Sequence, residues 1–159
     1  MPEAAQTASK TTGQRVDPIR NYTWKIFIDK QAVGDFIQCS GLDISVDSMD
    51  YYEGGSPYAR KVAGRTHYAP LTLEYGLTRD RSLWDWMQNS VKQNSGDQQG
   101  PVRKDVAIVM LSPDGSTELL RWNLFAAWPS RLRAKPLDAA TSQFAVQVLE
   151  LSFDYAEQD

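Results

Sequence analysis

Apolar and polar residues alternate in the segment LDISVD, residues 42–47. Successive side chains on a β-strand point to opposite faces, so this alternation predicts a strand with one apolar face and one acidic, hydrated face. A strand with a continuous polar face is typical of a sheet that borders water. The apolar positions are Leu42, Ile44 and Val46, and the polar positions are Asp43, Ser45 and Asp47.

Similar patterns recur along most of the chain and predict further strands. Residues 22–28 alternate and then turn, and residues 33–39 are expected to return beside them as a hairpin. Residues 66–78 and 119–128 alternate as well, with Pro70 at a strand start or edge and Pro129 as a strand end. The apolar run at residues 106–111 predicts a strand buried on both faces, followed by a turn. The expected loops between strands include residues 53–65 and residues 130–142.

One segment, residues 79–92, has helical periodicity. Thr78 or Asp80 can cap its N-terminus, because both side chains accept hydrogen bonds from free backbone N–H groups. The predicted buried face consists of Leu83, Trp84, Met87 and Val91, and Trp86 lies beside it.

The last predicted strand, residues 143–155, changes phase. Phe144, Val146 and Val148 are in one register, whereas Leu149 and the apolar residues after it are in the other. Because a one-residue slip moves every side chain to the opposite face, a bulge or a transfer between two sheets is expected near residues 148–149. Together these elements predict a mainly β fold: an antiparallel β-sandwich or partly open barrel of about seven or eight strands, with one packed α-helix.

The expected loop at residues 53–65 is longer than an ordinary hairpin connection, and ordered loops of this length often carry function. Either it is a plain surface excursion or it contacts a neighbouring subunit. Tyrosine and arginine are enriched at interface hot spots, which favours a contact with a neighbouring subunit. The residues assigned to it are Tyr51, Tyr52, Glu53, Gly54, Gly55, Tyr58, Arg60, Lys61 and Arg65.

Composition limits the class of protein. The chain has 159 residues, a net charge of −3 and one cysteine, Cys39. The acidic balance disfavours a nucleic-acid-binding surface, and a single cysteine excludes a disulfide within the chain. No apolar run approaches the length of a membrane span, and the N-terminus does not resemble a signal peptide, so synthesis in the cytoplasm is expected. Residues 1–17 are interpreted as a flexible arm and residues 18–159 as a single domain.

The sequence offers little for catalysis, and we expect no enzyme activity, cofactor or metal. His67 is the only histidine and lies in no recognisable catalytic motif. Asp43 and Asp47 are same-face residues about 13 Å apart on a strand, too far to share a metal or to act as a carboxylate pair. The five tryptophans suggest carbohydrate binding, but core packing explains most of them.

Four segments together resemble the tail tube proteins of contractile-tailed phages and of phage-like extracellular contractile injection systems. They are FIQCSGLDISVDSMDYYEGG, GRTHYAPLTLEYGLTRDRSLWDW, RWNLFAAWP and FAVQVLELSFDYAE, and they occur in the order typical of the family. The resemblance covers residues 21–155. It also implies a relationship in fold to the ring protein of type VI secretion.

The resemblance implies a structural protein that forms hexameric rings. The rings stack into a hollow inner tube, with strands of all subunits joined in one barrel around the channel. The implied partners are further copies of the chain, a contractile sheath protein, a baseplate hub or spike, a tube cap or terminator, and a cargo of protein or DNA. The particle would assemble in the cytoplasm and could be released. The predicted lumen-facing residues are Asp43, Ser45, Asp47, Thr72 and Glu74.

Alternatives of three classes remain at this stage. The chain could form the tail tube of a phage virion that carries DNA, or a same-fold paralogue that joins the tube to the baseplate. A different class is a monomeric β-sandwich module that binds carbohydrate or protein. An enzyme that uses His67 is the third, without an identifiable substrate.

Overall fold

The computed structural model describes residues 24–33, 36–96, 101–140 and 144–159, which form one helix and ten strands. The expected arm at residues 1–17 lies outside these residues, as does Gln143. The strands are β1 (Trp24–Ile28), β2 (Gln31–Ala32), β3 (Phe36–Cys39), β4 (Ile44–Tyr51), β5 (Arg60–Tyr68), β6 (Leu71–Gly76), β7 (Lys104–Leu111), β8 (Glu118–Ala134), β9 (Val146–Ser152) and β10 (Tyr155–Gln158), and the helix is α1 (Ser82–Gly96).

Eight strands form one open antiparallel sheet in the order β2-β1-β7-β8-β9-β6-β3, with β10 paired to β8. The 17-residue strand β8 is shared by both halves of this sheet. Its first part pairs with β7 and β10, and its second part pairs with β9. The predicted mainly β, antiparallel fold with one helix is therefore confirmed.

The two halves of the sheet enclose a single apolar core. Strands β1 and β7 supply residues such as Ile26 and Ile108, while β6 and β9 supply residues such as Leu73 and Leu149, all at most 2% exposed. The helix adds Leu83 and Trp86 to the same cluster. Burial of side chains of this size stabilises the fold by roughly 1.5–3 kcal/mol each.

The sheet curls so far that β1, the strand next to one edge, approaches the opposite edge strand β3 without pairing with it. The rings of Trp24 on β1 and Phe36 on β3 lie 6.4 Å apart. An apolar groove of about 280 Å³ separates these strands. This seam corresponds to the partly open barrel that the sequence predicts.

The bulge or transfer between sheets that the sequence predicts near residues 148–149 is not found there. Residues 146–151 of β9 pair regularly with β6, and both Val148 and Leu149 are buried. The register shift lies instead on β8, between Pro129 and Arg131, and the C-terminal segment breaks after Ser152 before β10. Pro129 does not end its strand, because β8 continues to Ala134. Phe144 lies before β9 and is 90% exposed.

The predicted hairpin of residues 22–39 is only partly correct. Asp29 and Lys30 both have positive φ, as in a two-residue hairpin turn, but only β2 returns beside β1. Strand β3 pairs with β6 at the far edge of the sheet. Similarly, the expected single strand at residues 66–78 is divided into β5 and β6, with Pro70 directly before β6 as predicted.

The predicted helix exists, and its predicted buried face is correct for Leu83 and for the half-buried Met87 but wrong for two other residues. Leu83, Trp86 and Ser90 are buried, whereas Trp84 and Val91 are 45% and 47% exposed. The Trp86 indole N–H donates to the Val102 carbonyl oxygen at 2.8 Å, which satisfies the buried ring nitrogen. At the helix start, the Asp80 carboxylate accepts a hydrogen bond from the Ser82 N–H at 2.9 Å.

Candidate assembly surface

Strands β4 and β5 pair only with each other and form a hairpin separate from the main sheet. The segment expected to be a loop, residues 53–65, is therefore strand in its second half, from residue 60 onward. Arg60, Lys61 and Arg65 lie on β5, and only residues 52–59 connect the two strands. The residues assigned to an assembly loop form the outer part of this hairpin.

The hairpin is exposed on both faces. All eight residues of β4 are exposed, so the apolar face expected at Ile44 and Val46 is not buried within this chain. Further exposed apolar side chains are Met49, Tyr51 and Val62. An isolated two-stranded hairpin is marginally stable in water, and exposed apolar patches mark interaction sites. This hairpin is therefore suited to contact another chain.

Three polar side-chain pairs bridge the two sides of the hairpin. Near the base, the Asp47 Oδ2 and His67 Nε2 atoms are 2.9 Å apart. Asp50 forms an ion pair with Lys61 farther out, and Glu53 forms one with Arg60 at 3.4 Å next to the turn. Because all three pairs are exposed, each contributes at most about 1 kcal/mol to stability.

Two glycines shape the hairpin in different ways. Gly55 has a φ of 91° in the turn closed by the hydrogen bond from the Ser56 N–H to the Glu53 carbonyl oxygen. Gly64 lies where the register shifts, and a Cβ atom there would be 3.0 Å from the Cβ of Asp47. Tyr52 and Tyr58 flank the turn and are 74% and 79% exposed. The tip of the hairpin thus presents tyrosines on a turn of defined geometry.

The residues predicted to face a lumen occupy two places. Asp43, Ser45 and Asp47 lie at the base and lower half of the hairpin, with Ser45 directly opposite His67. Thr72 and Glu74 lie on β6 and alternate with the buried Leu71 and Leu73, so they point away from the core.

The β6 face carries positive charge that the sequence prediction missed. Thr72 is opposite Glu150, which is opposite Arg131 and forms an ion pair with it at 3.9 Å. Glu74 forms an ion pair with Lys135 at 2.7 Å, and Arg133 lies on the same face of β8. The sequence analysis placed Arg131, Arg133 and Lys135 in a loop, because Pro129 was expected to end the strand. The face therefore carries both signs of charge.

The described residues contain no group of histidine, cysteine and acidic side chains that could bind a metal ion. His67 is exposed. Of the ionisable groups in the described residues, only Asp47 is in contact with it. Burial raises the pKa of the Cys39 thiol, which disfavours its reactive thiolate form. Hydrogen bonds from Ser112 and Ser116 lower the pKa of Asp114 to about 2, consistent with a turn-stabilising role.

In the described part of the chain, no helix is long and apolar enough to cross a membrane.

Structural comparison first defines the fold class. An Hcp protein of Flavobacterium johnsoniae has 13% sequence identity and a TM-score of 0.56, and the match covers 86% of this chain and 94% of that chain. This similarity shows a shared fold. A sequence comparison with curated proteins found no match.

Residues 20–157 match the family model described as T4-like virus tail tube protein gp19, and the chain belongs to this family. A PVC sheath/tube terminator of an extracellular contractile injection system has 28% identity and a TM-score of 0.78, with 91% of this chain and 98% of that chain covered. The anti-feeding prophage tube-terminating cap has 25% identity and a TM-score of 0.81, with 96% and 99% covered. A chain of the PVC sheath-tube complex has 26% identity and a TM-score of 0.77, with 98% and 99% covered. The family and these neighbours are structural tube components.

Proposed function

We propose that this protein is a subunit of the inner tube of a contractile injection machine. Subunits form hexameric rings, and the rings stack into a rigid hollow tube inside a contractile sheath. The observation that carries the proposal is the β4–β5 hairpin, which exposes apolar side chains on both faces and contributes no residue to the core. Family membership supplies the kind of assembly in which such a hairpin is covered.

The sheet edges support the same assembly. In the described residues, β3 pairs on one side only, with β6, and β10 pairs on one side only, with β8. Unpaired edges promote uncontrolled association unless they are covered or closed into a barrel. Closure of a ring would cover these edges with neighbouring subunits.

The channel would be lined by Asp43, Ser45, Asp47, Thr72 and Glu74. Arg131 and Glu150 share the face of Thr72, so the channel wall on this assignment carries both acidic and basic groups. A purely acidic wall would repel the phosphates of DNA, whereas a wall with both signs of charge is better suited to a protein cargo. The particle would be phage-like, act outside the cell that assembles it, and include sheath, baseplate hub and cap proteins.

Negative-stain electron microscopy of the purified protein at increasing concentration, combined with light scattering, tests this function. Six-fold rings and stacked tubes are the expected result. A monodisperse monomer in the presence of its baseplate and sheath proteins would contradict it and favour a monomeric binding module.

A second candidate is a tube-terminating subunit. The chain is about as similar to the PVC sheath/tube terminator and to the anti-feeding prophage cap as to the sheath-tube chain. A terminator must end the tube, so it should form single rings that do not stack. Rings without tubes at every concentration, together with binding to one end of preformed tubes, would support this second function over the first.

A further inference from the structure

A recess opens on the half of the sheet that does not carry Thr72 and Glu74. It lies over strands β1, β7 and β8 and has a volume of about 420 Å³. The two halves of the sheet enclose the core between them, so this face and the Thr72 face are on opposite sides of the body. No residue of the proposed channel wall lines the recess.

The sequence forms the recess by placing a small residue between larger ones. Ala107 on β7 is directly opposite Phe27 on β1 and directly opposite Asn123 on β8. Residues that alternate with this row, such as Ile26 and Ile108, are buried in the core, so the row points outward. The methyl group of Ala107 therefore leaves a space that the side chains of the flanking strands surround.

Aromatic rings line the recess from either side of β7, with Phe27 on β1 and Phe125 on β8. The ring of Phe125 is stacked with that of Tyr155 on β10, with the ring centres 4.6 Å apart and the planes inclined by 16°. Tyr155 is 46% exposed, so the stacked pair forms an aromatic wall that reaches solvent. The face of an aromatic ring is electron-rich and attracts the weakly positive C–H groups of a ligand.

Planar polar groups beside these rings are held in fixed orientations. The Arg121 guanidinium lies 5.9 Å from the centre of the Phe27 ring and donates to the Glu118 carboxylate from Nε at 3.2 Å and from Nη2 at 2.7 Å. The Asn123 amide donates to the Asp159 carboxylate at 2.7 Å. Groups that are already ordered lose little further conformational freedom when a ligand binds.

The charges that line the recess cancel. Its ionic groups are Lys30 and Arg121 with positive charge, and Asp105 and Glu118 with negative charge. A lining without net charge favours neither an anion nor a cation. The volume is within the range of about 300–1,000 Å³ that is typical of small-molecule sites, and such sites combine apolar walls with a few oriented polar groups.

We propose that this recess binds a neutral carbohydrate. A pyranose ring has an apolar face of C–H groups, which packs against the aromatic wall. Its edge carries neighbouring hydroxyl groups, which bond to planar side chains such as Arg121 and Asn123. The site is independent of the tube function, and in a tube whose channel is lined by the Thr72 face it lies on the outer wall.

A glycan array followed by isothermal titration calorimetry tests the proposal. The purified full-length protein, without sheath protein, is applied to immobilised neutral oligosaccharides and to sulfated and amino-sugar oligosaccharides of similar length. Binding to a subset of the neutral oligosaccharides is expected, with a Kd that changes little between low and high salt because no net charge is neutralised. Absence of binding to every neutral oligosaccharide would overturn the proposal, and so would a preference for charged ones that salt abolishes.

Two substitutions connect binding to the recess. Phe125→Ala removes part of the aromatic wall, and Ala107→Leu fills the space, so each is expected to weaken binding of the best neutral oligosaccharide by roughly tenfold or more. Tyr58→Ala is the matched control, because Tyr58 is an exposed aromatic residue outside the recess. Circular dichroism verifies that all three variants fold. Unchanged affinity of both recess variants, or an equal loss in Tyr58→Ala, would overturn the proposed site.

Electron microscopy and sheath binding separate this site from assembly. Phe125→Ala and Ala107→Leu should form the same rings and tubes as the parent protein. If both variants lose binding to the sheath protein while the parent binds no oligosaccharide, the recess is a protein contact and the proposal is overturned. Oligosaccharide binding through the recess by a protein that forms no tubes would support the site and contradict only the tube function.

Discussion

At the scale of single residues, the two tryptophans of the helix show how little separates a buried from an exposed position. Trp84 and Trp86 both fit an apolar stripe with Leu83, and the sequence pattern favoured Trp84 because Met87 and Val91 follow it. The structure buries Trp86 over Ser90, whose hydroxyl donates to the Trp86 carbonyl oxygen at 2.9 Å. A polar residue that satisfies its hydrogen bond within the helix does not mark the exposed face.

Substitution of each tryptophan by phenylalanine tests this assignment. Trp86→Phe removes the donor to the Val102 carbonyl and leaves space in the core, so we expect the free energy of unfolding to fall by roughly 1–3 kcal/mol. Trp84→Phe, at an exposed position, should change it by less than about 0.5 kcal/mol. Urea unfolding of the two variants measures the difference. Equal losses would contradict the orientation of the helix.

Tyr75 provides a pH-dependent test of the core. Burial, with a smaller effect of the Asp80 charge, raises its pKa to about 12, and its hydroxyl donates to Gln147 at 2.7 Å. Below pH 10 the tyrosine is neutral in both the folded and unfolded states. Between about pH 10 and 12 only the unfolded state ionises, so the folded state loses stability as the pH rises.

The Tyr75→Phe variant should lack this alkaline loss and, near neutral pH, should be less stable by about 1 kcal/mol because the buried Gln147 loses its donor. Denaturant unfolding of both proteins from pH 7 to 11.5 measures the two effects. Parallel pH profiles for the variant and the parent protein would contradict the contribution of Tyr75.

At the scale of elements, the sequence predicted strands where apolar residues alternate or run together, and it failed where they do not. Strands β6 and β7 were located closely because their apolar residues alternate or run continuously into the core. Strand β5 reads RKVAGRTHY and is almost entirely exposed, so it lacks an apolar period within this chain. Its residues 60–65 were therefore interpreted as a loop, and residues 66–68 were joined to the next strand. The sequence analysis ended β8 at Pro129. A proline can lie at a bulge within a strand, and the sequence does not show where a bulge occurs.

The residues assigned to assembly nevertheless lie together in the structure. Tyr51, Glu53 and Arg60 meet around the hairpin turn, even though the strand pairing that brings them together was not predicted. Lumen residues were harder to assign. Alternation separates the two faces of one strand but does not show which residues of other strands lie beside them. Only the pairing register shows that Thr72 is opposite Glu150, that Glu150 is opposite Arg131, and that all three share one face.

The glycine at the register shift tests the hairpin as an element. Gly64→Ala would place a Cβ atom 3.0 Å from the Asp47 Cβ and 3.2 Å from its carbonyl oxygen, which forces the two strands apart. The hairpin supplies no residue to the core, so thermal unfolding of the body should change little. Tube formation, followed by light scattering and electron microscopy, should be weakened.

Gly76→Ala is the control for this variant. Gly76 lies at the end of β6, outside the hairpin, and a Cβ atom there has no neighbour within 4 Å, so tube formation should remain close to that of the parent protein. Normal assembly of Gly64→Ala would contradict a role of hairpin geometry in assembly.

At the scale of the whole molecule, folding and assembly depend on different parts of the chain. The core cluster draws on β1, β6, β7, β8, β9 and α1, and no residue of 44–67 belongs to it or packs against it. Apolar burial therefore stabilises the body without the hairpin. The exposed hairpin adds little to the monomer and is available for contacts between copies.

Removal of the hairpin separates these two roles. Ser45 and His67 are direct cross-strand partners, so an Asn-Gly turn can replace residues 46–66 with little strain. We expect a monomer whose melting temperature lies within a few degrees of the parent protein, because the core is intact. It should form no tubes at any concentration, since both the hairpin tip and its apolar faces are absent. Tubes of ordinary length from this variant would show that the rings associate through the body alone, and loss of folding would show that the hairpin stabilises the monomer.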